Sequence, residues 1–449
     1  MATTGSKGAQ ARAKLAAMTP GSRELHERGA KVLPVEVVPT FEMPSPIYVR
    51  SMEGARVTDV DGNEWIDLTM GAGPHILGHR PKVVEDALHD QLRRGWHVVL
   101  HNDRQVELAE MIADAAPMAE RTIFCNSGTE ATMYGMRVAR AFTGREKVAV
   151  FDGSYHGAHD YALVKADPES PRHAPTGKVI GGGVPHTVRD DTMVVLPYRD
   201  PAAFDIVRAR RNELALVMVQ PVQNTVPRDD SGPWLQELRA VCRECGVLFM
   251  LDEVVTGFRL GWGGGMEFFG LDADLATFGK ALGGGLPIGA LSGRAEIVSL
   301  LGRAWTDPKG VFSGGTFSGN PLSMAAGIAQ LGHLSANRGT LYPTLNAQAA
   351  RLAHAVNTFC EERQIGAQLM NAGSIFYMHF KRGIDSSRDL ADENKDAERE
   401  FYVNLTAKGV IVPGIHLFFT SAAHTPQDID TIAAAFQDAL MDTREDGFL

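Results

Sequence analysis

Residues 275–290 read LATFGKALGGGLPIGA, and this stretch indicates an α/β fold with a ligand site at the end of a strand. A short apolar run leads directly to Lys280, and three consecutive glycines follow shortly after it. A lysine in apolar surroundings is desolvated, which lowers its pKa and frees its amine for Schiff-base chemistry. The alternative is a surface lysine beside a flexible loop, and the apolar residues before Lys280 argue against it.

A second apolar run, VLFMLDEVVTGF at residues 247–258, ends in two acidic residues. An acid at the end of a buried strand is costly to ionise unless it faces a cation. The protonated nitrogen of a pyridine ring is such a cation, and a carboxylate beside it would hold the proton by raising the pKa of the ring. The sequence leaves a second interpretation open, in which Asp252 binds the backbone or a structural arginine such as Arg259.

A third segment, FCNSGTEAT at residues 124–132, passes from an apolar run through a Ser-Gly-Thr turn into a helical pattern. The hydroxyl groups of Ser127 and Thr129 and the nearby N–H groups could bind one anion at the positive end of the helix dipole. The alternative is an ordinary helix with Ser127 or Thr129 as its N-cap. The P-loop pattern of nucleotide triphosphate sites is missing from the segment.

A fourth segment, FDGSYHGAHD at residues 151–160, places Tyr155 and His156 after another apolar run. An aromatic ring in this position could stack on a planar cofactor. The alternative is a loop aromatic that covers the edge of the sheet. Taken together, and in the order in which they occur along the chain, the four segments agree on one ligand.

The chain as a whole reads as two α/β domains. Apolar runs alternate with helical patterns from about residue 104, which predicts a mainly parallel sheet with right-handed crossovers. Residues 1–45 read as an irregular arm, and Glu53-Gly54 and Asp61-Gly62 as hairpin turns. The predicted division is 1–70 for the arm and hairpin that join the small domain, 71–318 for the large domain and 319–449 for the C-terminal small domain.

Composition narrows the class of protein. The 449 residues carry a formal net charge of -10, which disfavours nucleic acid or an anionic membrane as a partner. No apolar stretch approaches the length of a membrane span, and the N-terminus lacks the apolar core of a secretory signal, so cytoplasmic residence is expected. Four cysteines in so long a chain form no disulfide framework, and no metal site is expected.

Eight segments that occur in order over about residues 45–435 give the chain its family resemblance. They are TDVDGNEWIDL, ILGH, FCNSGTEA, YHG, LDEVVTGFR, FGKALGGGLPIGA, GGTFSGNPLSMAAG and SAAHTPQDID. The chain resembles the class III aminotransferases of fold type I, in the branch that contains glutamate-1-semialdehyde 2,1-aminomutase and the β-amino-acid transaminases. The resemblance implies pyridoxal 5'-phosphate as cofactor. It also implies a large domain with a mainly parallel seven-stranded sheet, beside a smaller α/β domain.

The resemblance assigns roles by position. Lys280 would hold the cofactor as an internal aldimine and shuttle the proton, and Asp252 would pair with the pyridine nitrogen. The remaining cofactor-binding positions would be phosphate ligands, ring contacts and a residue from the neighbouring subunit of a homodimer. They are Ser127, Gly128 and Thr129 for the phosphate, Tyr155 for stacking on the ring, Asn224 for the phenolic oxygen, and Thr316 for the neighbouring subunit's phosphate. His156 and Val254 are expected as further cofactor-binding residues.

Departures from the family pattern bear on the substrate. The family usually has Glu-Pro where this chain has Gln220-Pro221. Arg50, Ala72 and His416 fall where the aminomutase has, or nearly has, an arginine, a tryptophan and an acid, so these three would line a wider and more apolar pocket. We therefore expect a ping-pong aminotransferase that moves an amino group from an amine or β-amino acid to a carbonyl acceptor. Intramolecular transfer by an aminomutase is the alternative.

Overall fold

The computed structural model describes residues 6–34, 46–303, 306–412, 414 and 416–449. The strands of this part of the chain are β1 (Val49–Glu53), β2 (Arg56–Asp59), β3 (Glu64–Asp67), β4 (Arg121–Cys125), β5 (Lys147–Phe151), β6 (Val164–Ala166), β7 (Gly177–Val179), β8 (Met193–Leu196), β9 (Leu214–Val219), β10 (Leu248–Asp252), β11 (Leu275–Gly279), β12 (Gly289–Gly293), β13 (Gln368–Ala372), β14 (Ile375–His379), β15 (Val410–Ile411) and β16 (Phe418–Phe419). Its α-helices are α1 (Lys7–Met18), α2 (Pro20–Gly29), α3 (Lys82–Arg94), α4 (Asp103–Ala115), α5 (Gly128–Thr143), α6 (Ala202–Ala209), α7 (Gly232–Cys245), α8 (Gly264–Phe269), α9 (Ala295–Val298), α10 (Pro321–Glu362), α11 (Lys395–Ala407) and α12 (Pro426–Glu445). None of these helices is both long and apolar enough to cross a lipid bilayer.

The chain divides into two compact units. The first unit comprises Met1–Pro81, Pro343–Ile384 and Asp392–Leu449, and the second comprises Lys82–Tyr342 and Asp385–Ala391. These divisions lie away from the borders at 70/71 and 318/319 that the sequence predicts. No break occurs near residue 319, because α10 continues from Pro321 through Pro343 to Glu362 as one helix.

The second unit is built on a seven-stranded sheet in the order β4-β12-β11-β10-β9-β5-β8. Each of its strands is parallel to the others except β12, which pairs antiparallel with both β11 and β4. The predicted α/β fold with a mainly parallel seven-stranded sheet is confirmed. Apolar residues of β5, β9 and β10 pack against α5 in a continuous core, because strands buried on both faces are apolar throughout.

The first unit contains two smaller sheets, of order β1-β2-β3-β15 and β13-β14-β16. The hairpin turns hold as predicted: β1 and β2 pair antiparallel across Gly54, and β2 and β3 pair antiparallel across Gly62. Helices α11 and α12 bury their apolar faces in one core with β14. A capping box formed by Thr425 and Asp428 begins α12.

The predicted irregular arm is wrong where the structure describes it. Ser6 caps α1 by accepting a hydrogen bond from the backbone N–H of Ala9, and α2 follows at once. Ala11 and Leu15 lie on one face of α1 and are buried against Trp65 and other apolar residues of the first unit. Such a sparse apolar stripe is a weak helical signal, and the tertiary contact stabilises the helix. Residues 1–5 and 35–45 of the predicted arm lie outside the described residues.

Candidate active site

The predicted site residues of the second unit follow strands that end at one edge of its sheet. Strands β4, β5, β9, β10 and β11 run in the same direction, so their carboxyl ends lie together, as in other open α/β sheets that bind ligands there. Asp252 lies opposite Thr277 in the register of β10 and β11, and Lys280 comes directly after β11. The structure thus brings the predicted acid and the predicted lysine to adjacent strand ends.

Asp252 is the last residue of β10, and its carboxylate is almost fully buried. Its Oδ2 lies 2.6 Å from Nδ1 of His156, while Oδ1 accepts hydrogen bonds from the Thr277 hydroxyl at 3.1 Å and from the Val254 backbone N–H at 3.2 Å. The contact with the Val254 backbone agrees with one part of the alternative interpretation, in which Asp252 binds the backbone. Sequence reasoning missed His156 and Thr277 as partners of the carboxylate, since both contacts span long stretches of chain.

His156 is buried beside this acid. Burial lowers its pKa, and the hydrogen bond to Asp252 opposes that shift, so the ring is neutral and donates Nδ1–H to the carboxylate. Its other nitrogen, Nε2, is buried and meets no hydrogen-bond partner within the described part of the chain. A buried polar atom without a partner is uncommon in a folded protein, and functional sites are one place where it occurs.

Lys280 has an unusual backbone and an unusual pKa. Its φ of 46° lies in the left-handed region, which is rare for a residue with a side chain and is often found at functional sites. Burial, followed by the nearby charge of Arg259, lowers the pKa of Lys280 to about 8, while Asp252 acts in the opposite direction. The alternative of an exposed surface lysine is therefore wrong, because the side chain lies among buried groups.

The Ser-Gly-Thr turn is also an N-cap. Ser127 Oγ accepts a hydrogen bond from the backbone N–H of Glu130 at 3.2 Å, and α5 begins at Gly128. Thr129 Oγ1 accepts from the backbone N–H of Ala158 at 3.3 Å. The capping alternative is thus correct for Ser127, and it leaves the positive end of a 16-residue helix at this turn.

Glycine is required where the turn is packed most closely. A Cβ added at Gly128 would lie 2.8 Å from Cγ1 of Val254, and one added at Gly289 would lie 2.1 Å from the carbonyl oxygen of Ser127. Val254, two residues after Asp252, therefore packs against the Ser-Gly-Thr turn. A Cβ added at Gly279 would lie 3.4 Å from Cγ1 of Val254, so the residue before Lys280 also packs beside Val254.

Tyr155 is held by its backbone and leaves its ring accessible. Its N–H donates to Oε1 of Gln220 at 3.0 Å, and the residue is 43% exposed. The ammonium nitrogen of Lys165 lies 5.7 Å from the centre of that ring and donates to the carbonyl of Ser154. Burial lowers the pKa of Lys165 to about 8. No sequence signal singled out Lys165, which lies in a short strand. Gln220 follows a buried strand directly, as Lys280 does.

The remaining predicted residues belong to loops of the second unit or to the first unit. Asn224 belongs to the loop after β9 and receives a hydrogen bond from Gln220. Thr316 is exposed, and its side chain makes no hydrogen bond within the described part of the chain. Arg50, Ala72 and His416 belong to the first unit: Arg50 is exposed on β1, Ala72 has a φ of 65°, and Nδ1 of His416 lies 2.9 Å from the carbonyl oxygen of Leu417.

These residues fit pyridoxal 5'-phosphate. Four groups lie at one edge of the sheet, and each suits one part of that cofactor. The amine of lowered pKa suits the aldehyde, and the carboxylate held by neutral donors suits the ring nitrogen. The accessible aromatic ring suits the face of the cofactor ring, and the helix N-terminus suits the phosphate. Gly128 carries no side chain and packs closely against Val254, so a phosphate could approach the backbone at the start of α5.

Comparison with known proteins gives a consistent family. The family model described as aminotransferase class-III matches residues 38–440. A glutamate-1-semialdehyde 2,1-aminomutase from Methanopyrus kandleri is 39% identical over 434 residues, covering 94% of this chain and 97% of the relative. Among solved structures, an omega-transaminase from Sphaerobacter thermophilus superposes with a TM-score of 0.87 at 29% identity, over 96% of this chain and 99% of that one. A β-phenylalanine aminotransferase from Variovorax paradoxus does so with 0.83 at 29% identity, over 96% and 95%. The chain therefore belongs to the class III aminotransferase family, whose enzymes use pyridoxal 5'-phosphate.

Proposed function

We propose that this enzyme moves an amino group from an amine or a β-amino acid to a separate carbonyl acceptor, in two half-reactions that share one site. The observation that carries the proposal is that Lys280 and Asp252 lie at the ends of adjacent strands. Asp252 pairs with Thr277 of β11, and Lys280 follows that strand directly. The bound cofactor supplies an aldehyde and an electron-withdrawing ring. The protein's own groups supply the charges, the proton transfers and the orientation.

Asp252 would keep a proton on the ring nitrogen. Its carboxylate is held by three neutral donors, from His156, Thr277 and the Val254 backbone, so its charge is oriented but not cancelled. A buried carboxylate that faces a ring nitrogen favours the protonated ring, because it would otherwise lack a cation. The neutral His156 fixes the direction of the carboxylate and adds no competing charge.

Lys280 would bind the cofactor's aldehyde through its Nζ and, once released, move the proton at the reacting carbon. Because burial lowers the pKa of Lys280 to about 8, a useful fraction of the amine is uncharged near neutral pH. A base whose pKa lies near the working pH is the most effective proton carrier. The left-handed φ at Lys280 ends the extended backbone of β11 directly before this residue.

The turn that begins α5 would bind the phosphate, and Tyr155 would stack on the ring. Ser127, Gly128 and Thr129 lie at the positive end of the helix, where an anion is stabilised. The half-exposed ring of Tyr155 is fixed at its backbone by Gln220, and a flat ring can pack on its accessible face.

Two departures from the aminomutase pattern support a reaction with a separate donor and acceptor. Arg50 lies on a strand that is exposed along its length. His416 and the buried Leu417 stand where the resemblance places the acid of the aminomutase. The two solved transaminases described above share the fold over nearly the whole chain. The competing candidate, intramolecular transfer by an aminomutase, is favoured by the relative from Methanopyrus kandleri.

A single-turnover experiment separates the two candidates. Holoenzyme mixed with a simple amine or a β-amino acid, without any acceptor, should convert its cofactor fully to the amino form and release one carbonyl product per site. The changes in the cofactor's absorption and the released carbonyl are both measured. An aminomutase would instead isomerise glutamate 1-semialdehyde catalytically without a second substrate, while simple amines would leave the cofactor unchanged. That second pattern would overturn the proposal.

A homodimer is part of the proposal, and an apolar surface of the second unit supports it. Trp96, Val99, Leu100, Phe312 and Phe317 are between 59% and 81% exposed. The rings of His97 and Phe317 are 4.9 Å apart, so the segment near residue 97 and the segment near Thr316 are neighbours. A monomer rarely exposes so many large apolar side chains in one region, and a second copy of the chain would cover them.

Replacing Thr316 with alanine should weaken cofactor binding by about tenfold, because a hydroxyl bonded to a phosphate is a charge-assisted hydrogen bond. The dissociation constant of the cofactor is measured by equilibrium dialysis. Thr340→Ala, at another exposed threonine of the second unit, is the control and should leave it unchanged.

Mixed dimers test whether Thr316 serves the neighbouring site. A dimer of one Lys280→Ala chain and one Thr316→Ala chain has one complete site if Thr316 acts on the partner, and none if it acts within its own chain. The first arrangement should bind half the normal amount of cofactor with normal affinity. Weakened binding in every mixed dimer would show that Thr316 acts in its own subunit.

A further inference from the structure

Gln220 links two elements of the candidate site. It follows β9 directly and is 3% exposed. Its Oε1 accepts the backbone N–H of Tyr155 at 3.0 Å, and its Nε2 donates to Oδ1 of Asn224 at 3.2 Å. Gln220 therefore uses both ends of its amide, one on the residue that would stack on the cofactor and one on the residue predicted to reach its phenolic oxygen.

The direction of both amides follows from a single main-chain donor. The N–H of Tyr155 can only donate, so the atom of Gln220 that faces it must be the oxygen. The nitrogen of Gln220 then faces Asn224 and can only donate, so the Asn224 atom at that contact must be its oxygen. The usual ambiguity between amide oxygen and nitrogen is thereby removed. Asn224 is left with its Nδ2 donor directed away from Gln220.

Resting on the proposed function, we propose that Gln220 is a positioning residue that holds Asn224 as a hydrogen-bond donor toward the phenolic oxygen of the bound cofactor. A donor at this oxygen stabilises its deprotonated, negative form. An acceptor in the same place would stabilise the protonated form. The identity of residue 220 thus decides, through Asn224, how tightly the phenolic oxygen of the bound cofactor holds a proton.

An amide is needed at position 220 because a carboxylate cannot make both contacts. A carboxylate would still accept the N–H of Tyr155, but it has no hydrogen to donate to Oδ1 of Asn224. Asn224 would turn its amide over and donate Nδ2 to the new carboxylate. Its oxygen would then face the cofactor, where the donor had been.

The test is Gln220→Glu, studied as holoenzyme by titrating the visible absorption spectrum of the bound cofactor with pH. The variant should hold the cofactor's proton about tenfold more tightly, as expected for loss of one hydrogen bond to a charged oxygen. The pH midpoint of the spectral change should rise accordingly. Asp252, His156 and Lys165 are the charged or titratable groups around Tyr155, and all three are unchanged in the variant.

The new negative charge could raise the midpoint by itself, so the same substitution is made in an Asn224→Ala background. If Gln220 acts through Asn224, the shift caused by Gln220→Glu should largely disappear there, since the two effects are then coupled. A shift of the same size in both backgrounds would overturn the proposal. Asn224→Asp is a second route: its carboxylate can accept from Gln220 but offers no donor to the cofactor, so the midpoint should again rise.

Gln91→Glu is the matched control for a new buried acid. Gln91 is a buried glutamine on α3 whose Nε2 donates to the carbonyl of Gly95 at 2.7 Å. This variant should lose thermal stability without moving the spectral midpoint. If the wild-type protein binds the cofactor with a visible band but neither Gln220→Glu nor Asn224→Asp moves its midpoint, the proposal for Gln220 fails and the proposed function stands. A wild-type protein without such a band would contradict the proposed function itself.

Discussion

Replacing Lys280 with alanine should abolish covalent attachment of the cofactor and reduce turnover by at least about 10⁴-fold, because in the proposed mechanism this residue would supply both the amine that binds the aldehyde and the base that moves the proton. The fold should be retained, since alanine leaves the neighbouring strand β11 intact. Attachment is measured by the visible band of the purified protein. Borohydride reduction and peptide mass spectrometry then identify the modified lysine.

Lys165→Ala is the control for that substitution. Lys165 is a second lysine near the same sheet edge, and burial likewise lowers its pKa to about 8. Its ammonium group is engaged by the carbonyl of Ser154 and by the Tyr155 ring. The Lys165 variant should therefore keep the covalent linkage. Reduction that labels Lys165 in the wild-type protein would show that the wrong lysine has been assigned.

Replacing Asp252 with asparagine should lower turnover by about 10²–10⁴-fold, the range that a group positioned for proton control or charge stabilisation supplies. Asparagine keeps an oxygen that can accept from His156. It loses the negative charge that, in the proposed role, would keep the ring nitrogen protonated. Single-turnover kinetics measure the loss in the proton-transfer step. Cofactor binding through Lys280 should persist, so the visible band should remain.

Asp252→Ala separates the catalytic role from the structural one. It also removes the acceptor for His156, so the free energy of unfolding should fall by a further ~1–3 kcal/mol relative to the asparagine variant. Asp274→Asn is the control, because Asp274 is another buried acid, lies directly before β11 and is held by Arg239. That control should lose stability with near-normal turnover. Near-normal turnover in Asp252→Asn would contradict the role proposed for the acid.

The parallel strands of the large sheet were predictable because their signal is local. Each of β5, β8, β9, β10 and β11 is formed mainly by a short run of apolar, often β-branched or large residues, as expected for strands buried on both faces. The polar residues that follow such runs were equally visible. This is why Ser127, Tyr155, Asp252 and Lys280 could be selected before the fold was known.

Strand β12 shows where the local signal fails. Its sequence, GALSG, has no β-branched residue and two glycines, which disfavour a strand. It forms because β11 and β4 present unpaired backbone groups on either side of it. Gly289 is required there by the nearby Ser127 carbonyl, a contact between residues far apart in the chain.

By itself the sequence determined which chemical groups the protein owns: a desolvated lysine, an acid at a strand end, a capped turn and an aromatic residue, in the order typical of one family. Only the tertiary structure decided which of them pair. His156 reaches Asp252 across 96 positions, and Gln220 reaches Tyr155 across 65. Such contacts depend on strand order and register, which arise when the whole core packs and leave no mark in any short stretch of chain.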